Sequence, residues 1–161
     1  MLYLRPMSIT SGASAPLFTL PNTENQPVSL ESFRGQPVVV LFFPLAFTGV
    51  CTEEMCTMRD NMAQYNGFDA QILGVSVDSP FTLAQFKAKE NLNFPLLSDF
   101  NKKASNAYDV LYEDFFGLHG VSKRSAFVVD KAGKIAYAEV LEDAGEQPDY
   151  SAIQSTLRGL A

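Results

Sequence analysis

Apolar positions along the chain follow two rhythms, continuous runs and helical stripes. The strongest run, Val38 to Phe43 (VVVLFF), is β-branched and aromatic almost throughout and predicts a strand buried on both faces at the centre of a sheet. Residues 70–77 (AQILGVSV) predict a second buried strand. Between them, Met55, Met58, Met62 and Tyr65 recur at helical spacing and predict a helix over residues 52–65. Ser79 is placed to cap a further helix with Pro80 at its first position, running through Glu90. Residues 94–97 predict a short extended piece and residues 101–108 a short helix. Near the amino end, residues 17–20 and 28–30 predict short strands paired across a turn at 21–26, behind a turn-rich lead-in over residues 1–16. Later, SAFVVD (125–130) and IAYAEV (135–140) flank KAGK and predict a hairpin, followed by a closing helix over residues 150–160.

Strand–helix alternation followed by an antiparallel hairpin predicts an α/β fold: a central mixed β-sheet flanked by helices, with an N-terminal β-hairpin extension. That order fits a thioredoxin-like fold. With no repeat, charge block or Pro/Gly/Ser-rich linker, residues 1–161 read as a single domain. Composition agrees, since 47% hydrophobic and 19% charged residues can bury a core. With 12 basic and 18 acidic side chains, the net charge of −6 argues against nucleic acid or an anionic membrane surface as the main partner. The longest apolar run, Pro37 to Phe47, falls short of the ~20 residues of a membrane span and is interrupted by Pro44. MLYLRPMSIT lacks the apolar core of a secretory signal, so the expected location is cytoplasmic. Two cysteines are too few for a disulfide scaffold and read as reduced thiols, inert or reactive.

The candidate chemistry lies in FPLAFTGVCTEEMC, residues 43–56. A buried strand ends near Pro44, a short loop follows, and a helix begins near Cys51. In a first helical turn, unpaired N–H groups and the positive end of the dipole favour the thiolate form. The alternative is a buried cysteine used as a small hydrophobe, and position alone leaves both readings open.

Pro44-x-x-x-Thr48-x-x-Cys51 resembles the active-site signature of the peroxiredoxins. KRSAFVVD, with Arg124, is similar to the segment in which that family places its catalytic arginine ahead of a strand. The likeness extends to APLFTLPN and NFPLLSDF, and is greatest to the AhpE type and next to the PrxQ (bacterioferritin comigratory protein) type. The resemblance implies a thiol peroxidase without cofactor or metal, reducing hydrogen peroxide and organic hydroperoxides through a Cys51 sulfenic acid. It implies that Arg124 stabilises charge moving off sulfur, that Thr48 holds the peroxide, and that Pro44 keeps water away. The backbone N–H groups near Val50 and Cys51 complete the donors. Glu54 reads either as an aid to orienting the arginine or as a first-turn carboxylate favoured by the helix dipole.

Cys56 stands five residues beyond Cys51, a spacing that resembles the PrxQ type, where the second cysteine resolves the sulfenic acid. The AhpE type instead uses a single cysteine. In an ideal helix the two Cα atoms lie ~8–9 Å apart, beyond the ~7 Å a disulfide allows, so bonding requires unwinding. The other reading of Cys56 is a buried residue on the face of Met55, Met58 and Met62. A resolving Cys56 implies recycling by a thioredoxin-like reductant; a single-cysteine cycle implies a small thiol or a glutaredoxin-like protein. A peroxide-sensing switch would share the same site. A disulfide exchanger is disfavoured by the lack of C-x-x-C, and zinc by the short supply of ligands, with His119 the one histidine and read as structural. Phe47, Phe81, Phe115 and Phe116 fall in predicted loops and suggest an interface. The resemblance implies a homodimer there, with a monomer as the alternative.

Overall fold

A computed structural model describes residues 9–161. The expected lead-in is thus described only from Ile9, and its first eight residues lie outside the described residues. The strands are β1 (Thr19–Pro21), β2 (Pro27–Ser29), β3 (Val38–Phe42), β4 (Gln71–Ser76), β5 (Leu96–Ser98), β6 (Ser125–Val129) and β7 (Ile135–Val140). The helices are α1 (Gly49–Asp60), α2 (Met62–Gly67), α3 (Pro80–Glu90), α4 (Lys103–Ala107) and α5 (Tyr150–Leu160). A five-stranded sheet runs in the order β5-β4-β3-β6-β7. β3 pairs parallel with β4 and antiparallel with β6, so the sheet is mixed as the pattern predicts. β1 and β2 form the separate antiparallel ribbon expected near the amino end.

The run that predicts a central strand sits in the middle of the sheet, buried at every position of β3. Its side chains alternate between two cores. Val39, Leu41 and Phe43 meet Met55, Met58, Tyr65, Leu83, Phe86, Ile153 and Leu157, from α1, α2, α3 and α5. Val38, Val40 and Phe42 meet Phe18, Leu20 and Leu30, in and beside the ribbon, and Ala104 and Tyr108, in and just after α4. Period-2 alternation thus feeds a helical layer on one face and a thinner layer on the other. Gly74 in β4 has no room for a side chain: a Cβ there would lie 2.7 Å from Leu96 and 3.4 Å from the Met55 sulfur. Its absence makes room for the Leu96 side chain of β5.

Two expectations need correction. The helix predicted over residues 52–65 starts earlier, at Gly49, and divides at Asn61. Asn61 bonds its side-chain Nδ2 to the Thr57 carbonyl at 2.8 Å, a local bond that competes with the helical ladder. Met62 and Tyr65 keep their core positions across the break, which is why the apolar stripe looks continuous. Phe81 lies in the first turn of α3 rather than in a loop, and remains exposed. The cap of α3 is as expected, Ser79 Oγ accepting from the Thr82 N–H at 3.1 Å. Among the described residues no helix is long and apolar enough to cross a membrane.

Candidate active site

Residues 43–48 carry the chain from β3 into α1, and the sheet steers their start. Phe43 N–H still donates to the Val75 carbonyl at 3.0 Å. Pro44 follows, buried and without an N–H to leave unpaired. Ala46 N–H then donates to Asp78 Oδ2 at 2.8 Å. Asp78 is itself fixed: Ser76 Oγ donates to the same Oδ2 at 2.7 Å, and Ser98 Oγ to the Asp78 carbonyl at 2.6 Å. This anchor at the end of β4 is a positioning residue that the spacing around Cys51 does not announce. Phe47 takes a left-handed backbone, φ 68°, which is costly for a residue with a Cβ. Its ring packs on Phe86 at 5.2 Å between centroids, and Lys89 Nζ sits 5.7 Å above it.

Thr48 occupies the N-cap position of α1, but its hydroxyl does not cap. Thr48 Oγ1 donates to the Leu45 carbonyl at 2.7 Å and leaves its lone pairs available as acceptors. The first helical bond runs from Thr52 N–H to the Thr48 carbonyl. The N–H groups of Val50 and Cys51 precede it and have no carbonyl of the helix to donate to. Cys51, the third residue of α1, is 1% exposed.

Arg124 ends the segment before β6, and strand register delivers it. Ser125 pairs with Phe42, so the residue just ahead of β6 lies beside the end of β3, from which the loop to Cys51 departs. Arg124 is 1% exposed rather than a surface residue. Its Nη2 lies 3.4 Å from Cys51 Sγ and donates to the Ala144 carbonyl at 3.0 Å; its Nη1 donates to Glu54 Oε2 at 2.8 Å. Burial opposes the guanidinium charge, and Glu54 and Cys51 outweigh it, holding Arg124 more firmly protonated than a free arginine. Glu54, the sixth residue of α1, is therefore not the first-turn carboxylate of the alternative reading; it is fully buried against Arg124.

Burial pushes the Glu54 carboxyl up to about 7, against the pull of Arg124. A carboxyl raised in the folded state stabilises most below its unfolded value, and that contribution is lost as pH rises toward 7. The expected result is that wild-type stability falls relative to Glu54→Gln between pH 4.5 and 7 and then runs level. Unfolding in denaturant across that range checks it; a difference growing in favour of wild type would mean that Arg124 keeps Glu54 ionised throughout.

Cys56 does not join Met55 and Met58 in the core. It is half-buried, and its Sγ donates to Glu90 Oε2 of α3 at 3.5 Å. Burial pushes its thiol up, and Glu90 adds to the rise. Cys51 and Cys56 are both free and share one regular helix, so closing a bond between them requires unwinding. His119 is exposed, its Nδ1 hydrogen-bonded to the Glu113 carbonyl at 2.7 Å.

A family model described as the AhpC/TSA family matches residues 11–138. The chain is 40% identical over 141 residues to alkyl hydroperoxide reductase E of Mycobacterium tuberculosis, covering 86% of this chain and 89% of that one. It is 38% identical over 135 residues to peroxiredoxin Bcp of Escherichia coli K12, covering 80% and 84%. Among solved structures, peroxidoxin BcpB from Mycobacterium tuberculosis superposes with a TM-score of 0.85 at 27% identity, over 95% of this chain and 99% of that one. The mixed sheet with its flanking helices is thus a thioredoxin-like α/β fold of the peroxiredoxin kind.

Proposed function

The chain belongs to the AhpC/TSA family and is a peroxiredoxin, a thiol peroxidase, and from that premise we propose how its residues divide the work. Cys51 thiolate attacks one peroxide oxygen; the S–O bond forms as the O–O bond breaks. Sulfur is oxidised to the sulfenic acid, and the departing oxygen leaves as water or an alcohol after taking a proton. The observation that carries this reading is the Arg124 fork, one nitrogen 3.4 Å from Cys51 Sγ and the other 2.8 Å from Glu54.

A low thiol pKa by itself cannot make a fast peroxidase, because nucleophilicity falls as acidity rises. A fixed cation beside sulfur stabilises the charge as it passes to the leaving oxygen. Glu54 acts as a positioning residue by fixing the plane of the guanidinium. Thr48, its own proton committed to Leu45, accepts from a peroxide O–H. The N–H groups of Val50 and Cys51 supply further donors, and Pro44 closes the site to water.

The substrates are peroxides, with a thioredoxin-type reductant. The proposal extends to Cys56 as resolving thiol, to both hydrogen peroxide and alkyl hydroperoxides, and to a cytoplasmic setting where thiols stay reduced. Exposed Phe47, Phe81 and Phe116 support a homodimer that covers them. A single-cysteine cycle with an external thiol or glutaredoxin-like protein is the second reading, favoured by the unbroken turn between the two cysteines.

Intact mass after one equivalent of peroxide, on reduced protein, separates them. Loss of two hydrogens, absent in Cys56→Ser, is the expected result. Oxygen retained on Cys51 would establish the single-cysteine cycle, and no change would reject the peroxidase assignment of this site.

A further inference from the structure

Cys56 and its neighbours form a cluster that the oxidation step does not use. Glu90, which accepts from Cys56, is the last residue of α3. Two further bonds join the same stretch of α1 to that helix end: Arg59 Nη1 donates to the Glu90 carbonyl at 2.5 Å, and Asn93 Nδ2 to the Arg59 carbonyl at 3.3 Å. Arg59 Nε is engaged by Asp60 at 2.9 Å. The second half of α1 is therefore clasped to α3 near Cys56. The first half depends instead on the contacts of Cys51 and Glu54 with Arg124. Oxidation of Cys51 changes one of those contacts and none of the clasp.

We infer that Glu90 is the proton acceptor of Cys56 in disulfide closure, in a geometry where the first turn of α1 opens and Cys51 swings toward a Cys56 that stays clasped against α3. This rests on the reading of Cys56 as the resolving thiol. The Glu90 carboxylate takes the S–H proton. The Cys56 sulfur attacks the sulfenic sulfur of Cys51, the S–S bond forms and the S–O bond breaks. Hydroxide leaves and recovers the proton from Glu90 as water. The sulfenic acid is the oxidant, so no further reagent enters.

The surroundings make such an acceptor necessary. The charged groups acting on Cys56 are Arg59, Glu90 and Asp60. Burial and the two carboxylates outweigh Arg59, and the sulfur rests as a protonated thiol. A resting thiol needs a base within hydrogen-bond reach of its proton, and Glu90 is there.

The test follows disulfide closure after one equivalent of peroxide in wild type, Glu90→Gln and Glu90→Asp, as a ratio to the preceding oxidation rate. Iodoacetamide labelling of Cys56 is measured in parallel in the Cys51→Ser background. The Arg59 bond reaches the Glu90 backbone, so the side-chain change leaves it in place. Expected are a drop of about tenfold or more in the closure ratio of Glu90→Gln, partial recovery in Glu90→Asp, and faster labelling of Cys56 once the carboxylate is gone. Closure that speeds up together with labelling would reduce Glu90 to a neighbouring charge and overturn the inference, as would unchanged closure. Wild type that retains oxygen without losing two hydrogens would show that the resolving role of Cys56 itself has failed, and the inference with it.

Discussion

Replacing Cys51 by serine is expected to lower peroxide consumption at least about 1,000-fold, because the reaction needs a thiolate and a serine hydroxyl stays protonated and is a far weaker nucleophile. The exchange is nearly isosteric in a site that is 1% exposed, and the new hydroxyl has Arg124 beside it as a donor. Stability is therefore expected to change by about 1 kcal/mol or less. The assay is peroxide loss under excess dithiol, read beside a denaturant melt. Unaltered consumption in a folded Cys51→Ser protein would move the chemistry to Cys56, and the Cys56→Ser and double variants would locate it. Loss of activity with loss of fold would instead be read from the melt.

Arg124→Ala is the second large effect, and it has two parts that must be separated. Removing a donor from the path of developing charge is expected to slow Cys51 oxidation about 10²–10³-fold. It also leaves Glu54 buried without its cation, at a cost of about 3–5 kcal/mol if the carboxyl stays charged. Protonation of Glu54, already pushed up to about 7, relieves part of that cost at lower pH. A double variant keeps the parts distinct. Arg124→Met with Glu54→Leu replaces the ion pair by apolar side chains, and is expected to recover most of the lost stability while oxidation stays slow. Oxidation restored in the double variant would mean that Arg124 acts only by holding the fold. Normal kinetics in Arg124→Ala alone would remove it from the reaction.

Legibility in the sequence follows the range of the forces involved. VVVLFF reads as a central strand because a short apolar run, β-branched and aromatic and flanked by prolines, suits a strand covered on both faces. The start of α1 at Gly49 is hard to read because Gly49 and Val50 are weak helix formers and neither is a buried apolar position of the helix. The break at Asn61 leaves the apolar stripe intact, so periodicity passes over it. At the site, Pro44, Thr48 and Cys51 are close in sequence and their spacing is visible. Arg124 alone reads as a surface cation; its burial is a product of the register between β3 and β6. Asp78 and Glu90 reach the loop and Cys56 across 32 and 34 residues, and no local pattern encodes such a meeting.

The placing of β3 between β4 and β6 also bears on how the chain is made. Its β4 edge is covered soon after synthesis, but β6 emerges roughly 80 residues later. At about 5–20 residues per second on the ribosome, one edge of VVVLFF stays open for several seconds. An uncharged, β-branched and aromatic hexapeptide with an open edge is the kind of segment that adds to its own copies. Pro37 and Pro44 bracket it on both sides, and neither can donate to a growing ladder. The two prolines thus serve as gatekeepers in the nascent chain, limiting the length over which stray pairing can form before β6 arrives to claim the edge.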